Sequence, residues 1–137
     1  MATPDEALVK LRSSVAELML AAGSGPLPQS PPERHVAIGN LAHELVRVAQ
    51  GSASIDFSPV FATIEELLRG PAETRNLVVV GMLEGLQNNS QNNGLPLSRW
   101  EPYLQPRTRE AWTAVVDMWA GRRSPRDFNR LVDRDED

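Results

Sequence analysis

The chain has 137 residues, fourteen basic and eighteen acidic, giving a net charge of -4, with 41% hydrophobic and 23% charged residues. That length and mix fit one globular domain, which buries about two-thirds of its unfolded surface without a metal or crosslink. With no cysteine, disulfides, thiolate chemistry and cysteine-built zinc sites are excluded. No apolar run approaches the ~18 residues of a membrane span. The opening Met1-Ala2-Thr3-Pro4-Asp5-Glu6 is acidic where a signal peptide would be basic. The acidic balance argues against direct nucleic-acid binding. The expectation is a cytoplasmic, single-domain protein over residues 1–137.

Helix-start grammar dominates the chain. A hydroxyl at N-cap accepts an orphan backbone N–H, proline suits the first helical position, and an acid at N3 reaches back to the cap. Thr3-Pro4-Asp5-Glu6 fits all three and predicts a helix over 4–22. Leu8, Leu11, Val15, Leu18 and Ala22 supply its single apolar stripe. Gly23 ends it, and 23–30 reads as a loop.

Ser30-Pro31-Pro32-Glu33 predicts a second helix over 31–50, with Ile38, Leu41, Ala42, Leu45, Val48 and Ala49 on its inner face. His35 lies near that stripe and His43 points to solvent. Eight residues apart, the two cannot hold one metal from a single helix. Ser58-Pro59 is a partial start for a helix over 57–69, where Val60, Phe61, Ile64, Leu67 and Leu68 oppose an acidic Glu65-Glu66 edge. Both carboxylates are expected to reach water.

The run over 71–90 is different. Leu77, Val78, Val79, Val80, Met82, Leu83 and Leu86 cover nearly its whole circumference, the pattern of a buried central helix. Gly81 and Gly85 lie four apart on one face. Each costs about 1 kcal/mol against alanine in a helix, so close packing of a neighbouring helix is expected to offset it. Glu84 and Asn88 share another face; a partly buried acid there needs a partner, an arginine or a helix start, unless the pair is the one polar patch this helix shows to a ligand. The polar run from Gln87 to Gly94 reads either as a helix end dissolving into a turn or as an amide-rich recognition loop.

Ser98-Arg99-Trp100-Glu101 predicts a short helix over 98–104, Pro106 opens another over 106–120, and Ser124-Pro125-Arg126-Asp127 starts a last one over 124–132. Trp100, Tyr103, Trp112 and Trp119 are expected to pack these C-terminal elements onto the central helix. Residues 133–137 read as a frayed acidic tail. The fold class is therefore all-α: a multi-helix domain of about five to seven helices around 71–90, compatible with a stacked helical-repeat layout.

No nucleophile elbow, phosphate loop with its GK[ST] ending, or metal-spaced cluster is present. The expectation is a chain that is not an enzyme, with no catalytic residues, no metal and no cofactor. At Val79-Val80-Gly81-Met82-Leu83-Glu84-Gly85-Leu86-Gln87-Asn88 the sequence resembles a small bacterial helical family with a VGxLExLQN run. The acidic-apolar helix before it (61–68), the Tyr103-Leu104-Gln105-Pro106 segment after it and the Trp112–Trp119 helix extend the likeness over about 33–121. Gly85 stands where that family carries an acid.

The resemblance implies an immunity protein, encoded beside a secreted toxin and binding it. It carries over no active site. A helical adaptor or regulatory subunit of a cytosolic complex is the competing reading. A basic toxin domain is the partner an acidic chain would associate with fastest. Glu65, Glu66, Asp56, Glu84, Asn88 and Asp117 are the candidate partner-binding residues.

Overall fold

The structure is a computed structural model that describes residues 2–51 and 54–121. Among them are six α-helices, two 3-10 turns and no strand: α1 (Pro4–Ala21), α2 (Arg34–Gly51), α3 (Ser58–Leu67), α4 (Ala72–Asn76), α5 (Glu84–Asn92) and α6 (Pro106–Trp119). The protein is all-α, as the capping grammar predicts. The helix expected over 124–132 and the tail over 133–137 lie outside the described residues.

The first start forms as the sequence dictates. Glu6 N–H donates to Thr3 Oγ1 and Thr3 N–H to Glu6 Oε1, each at 3.2 Å, which closes a reciprocal capping box. The second start does not. Helix α2 begins at Arg34, and the Val36 N–H is taken by Glu33 Oε2 at 2.7 Å. A glutamate thus does the work expected of Ser30, and the proline pair stays in the connection. The 98–104 prediction also changes character: it becomes two single 3-10 turns, Leu97–Arg99 and Glu101–Tyr103, with no side-chain cap.

The predicted 71–90 helix is present and runs two residues further, but it is not uniform. Between α4 and α5, Leu77–Leu83 is π-helical, and the Glu84 N–H donates to Val79 O five residues back. The stretch opens with Leu77 and three valines, whose branched Cβ atoms crowd the preceding turn of an α-helix. Leu77, Val78, Val79, Met82, Leu83 and Leu86 are all buried, so this helix is the hub.

The hub lies against α2 along the glycine face. A Cβ on Gly81 would collide with Ile38 Cγ2, and one on Gly85 would sit 3.1 Å from Ala42 Cβ. The close crossing expected from the glycines is therefore real, and its partner is α2. Helix α3 lies along α1, joined by the Ser14–Thr63 hydroxyl pair at 2.8 Å and by Lys10–Glu66 at 3.8 Å. Thr74 Oγ1 donates to Ala2 O at 2.7 Å and ties the start of the hub to the start of the chain.

The aromatics gather where α3 begins and the 3-10 turns end. Phe57 meets Trp100 edge-on at 5.1 Å between centroids, and Phe61 stacks on Tyr103 at 5.8 Å. Trp100 is fully buried and its indole N–H donates to Ser90 Oγ at 2.9 Å, pinning these turns to α5. Trp112 is buried as well, but Trp119 is 61% exposed and does not pack onto the hub as expected.

Candidate partner-binding surface

The six candidate residues do not form one patch, and the first of them behaves opposite to expectation. Glu65 does not reach water. It is 6% exposed, and its carboxylate accepts the Thr108 N–H and Thr108 hydroxyl on Oε1, both at 2.8 Å, and the Arg107 N–H on Oε2 at 3.1 Å. These are orphan donors of the first turn of α6, whose N-cap residue Gln105 gives no side-chain bond. Glu65 caps α6 from a different helix. Helical periodicity places it at the polar edge of α3, and nothing local reveals that a later helix begins on that edge.

Glu66, one residue on, is exposed on the α1–α3 surface, 3.8 Å from Lys10 Nζ. Both groups are well solvated, so this pair contributes at most about 1 kcal/mol. Asp56 is exposed, but Oδ1 accepts the Ser58 N–H at 2.9 Å where the chain enters α3. That hydrogen bonding to Ser58 holds its carboxyl below the usual aspartate range. Asp117 is half-buried on α6.

Glu84 and Asn88 do share a face, one helical turn apart at the start of α5. Glu84 is half-buried and Asn88 exposed. No hydrogen bond or ion pair reaches the Glu84 carboxylate from any described residue. The arginine or helix start expected for it is absent from that set, and Glu65 is the acid that found a helix start. Burial raises the Glu84 carboxyl above the ordinary glutamate value.

The amide run after it is mostly structural. Gln87 is buried and its Nε2 donates to Trp112 O at 3.1 Å; Ser90 receives Trp100. Asn89 Nδ2 donates to Gly85 O, which leaves Asn89 Oδ1 for His43 Nδ1 at 3.2 Å. His43 is exposed as expected. His35 is exposed too, not at the core boundary, and sits 3.6 Å from Glu33.

Among the described residues no group of three or more histidines and carboxylates could hold a metal ion, and no helix is long and apolar enough to cross a membrane. Comparison with curated proteins and with solved structures gives no match. A family model for a domain of unknown function, DUF7674, matches residues 16–120. That match takes in the end of α1 and every later described helix, and the chain belongs to this family.

Proposed function

We propose that this protein is a non-catalytic protein-binding module, an immunity protein that binds and neutralises a cognate bacterial toxin in the cytoplasm. The observation that carries the reading furthest is where the charge lies. Residues 1–121 hold thirteen acids and nine bases, while the sixteen residues after them hold five of each. The net charge of -4 therefore belongs to the helical body. Glu65 is spent internally, but Glu66, Glu84 and Asn88 keep some access to solvent.

An acidic body steers a basic partner and speeds its association. The likeness of the Val79–Asn88 run to toxin-immunity proteins supports the choice of a toxin over other basic partners. A helical adaptor of a host complex is the alternative, and a secreted-toxin gene beside this one would separate the two. The kinetic test is a Glu66→Lys variant, whose fold the exposed position should preserve. It should associate more slowly with the neighbouring toxin domain and show a flatter dependence on salt. Equal rates and equal salt slopes would remove Glu66 from the interface.

A further inference from the structure

Resting on that reading, we propose that Glu84 and Asn88 form the contact point for an arginine side chain of the partner protein. Glu84 is half-buried at the first residue of α5, directly after the π-helical stretch. Its carboxylate has already lost part of its water shell, yet no described residue donates to it. A half-buried acid with no donor among the described residues keeps its charge at some cost to the fold, and such departures from internal consistency gather at functional sites.

Among the described residues, the neighbours of Glu84 on this helix are directed elsewhere. Gly81 and Gly85 are turned to α2, where added side chains would meet Ile38 and Ala42. Gln87 is turned inward and bonded to Trp112 O. What remains outward is half-buried Val80, Glu84 and exposed Asn88, at successive four-residue steps. Asn88 adds an amide oxygen one turn from the carboxylate.

A guanidinium matches this arrangement better than an ammonium. Its planar fork can give two N–H groups to a carboxylate and keep others for an amide oxygen, and its flat, weakly hydrated face tolerates an apolar neighbour such as Val80. Partial desolvation before binding also lessens what remains to be stripped from the carboxylate at the interface. Glu66, already facing Lys10 and largely in water, has neither property.

The test uses acetyl-Gly-Arg-Gly-amide as probe, followed by NMR on the Glu side-chain carboxyl carbons and the Asn88 side-chain amide. In wild type these signals should move together and saturate at Glu84 and Asn88. They should stay still when citrulline replaces the arginine. Glu84→Gln should weaken the response about tenfold, since a charged hydrogen-bond partner is lost. Asn88→Leu should weaken it by less. Circular dichroism checks that both variants fold, and if Glu84→Gln does not, Asn88→Leu and the citrulline control decide the outcome.

Equal movement at Glu66 and other exposed acids would overturn the proposal, as would a response unchanged by Glu84→Gln. A toxin domain that binds wild type and Glu84→Gln equally tightly would overturn it while leaving the immunity reading intact. Saturable arginine binding at Glu84 in a chain that binds no toxin domain would fail the immunity reading alone.

Discussion

Glu65 and Glu66 are identical side chains at adjacent positions with opposite surroundings. Glu65 accepts three hydrogen bonds from the start of α6, and Glu66, among the described residues, meets Lys10 across solvent. Replacing Glu65 with alanine removes a charged acceptor and orphans buried donors, so unfolding in denaturant should reveal a loss of about 2–3 kcal/mol. Glu66→Ala should stay within about 0.5 kcal/mol of wild type. Equal effects would mean that the α6 cap is not formed.

Glu84 makes a prediction of the other sign. Its carboxyl is raised by burial, so the fold favours the protonated form. The associated stability is present in acid below the ordinary glutamate value and is lost as pH rises through the raised one. Glu84→Gln should therefore match or exceed wild type in melting temperature at pH 7, with the difference closing as the pH falls below 4.5, the ordinary value. Glu6 and Glu33 titrate the opposite way. Their carboxyls are lowered mainly by the backbone N–H groups of Thr3 and Val36. Their contribution is present above the ordinary value and is lost in acid.

At the scale of elements, the crossing of the hub over α2 rests on what glycine lacks. Alanine at 81 gains about 1 kcal/mol of helix propensity but drives a methyl into Ile38 Cγ2. Gly81→Ala should lower stability by about 1–3 kcal/mol through overpacking. Added to Ile38→Ala, which removes the obstructing atom, its own cost should shrink or vanish. Strict additivity of the two in thermal melts would contradict the close crossing. Gly85→Ala, with only Ala42 Cβ at 3.1 Å, should cost less.

Such contacts also mark what the sequence could and could not disclose. The Gly81–Gly85 spacing and the all-round apolarity of the hub were legible because both follow from helical geometry and local composition. The Thr3–Glu6 box was legible for the same reason. The cap on α6 was not, because Glu65 lies more than forty residues upstream in a helix whose own periodicity placed it at the polar edge. The π-helical stretch was equally hidden: Val78-Val79-Val80 is disfavoured in an α-helix, but that crowding alone names no alternative. The Ser30 start misleads because Glu33, three residues on, is itself an able cap: it takes the Val36 N–H at 2.7 Å, and the helix begins after it.

On the scale of the whole molecule, the scaffold and the proposed site divide cleanly. Ile38, Ala42, Gly81 and Gly85 lock α2 to the hub, Trp100 fastens the 3-10 turns to the hub through Ser90, and Glu65 fastens α6 to α3. The face of the hub carrying Glu84 and Asn88 is left outward. An acidic helical body with an outward carboxylate on its central helix is suited to recognition, which, with the likeness of the Val79–Asn88 run, supports the proposed immunity role.

The most direct measurement is inhibition. The proposed role requires a secreted-toxin gene beside this one, and the purified chain is titrated into an activity assay of that toxin domain. The account predicts activity falling to baseline at a fixed stoichiometric ratio, with Glu84→Gln and Glu66→Lys each needing more protein. Undiminished toxin activity at a large excess of folded wild-type protein would contradict it.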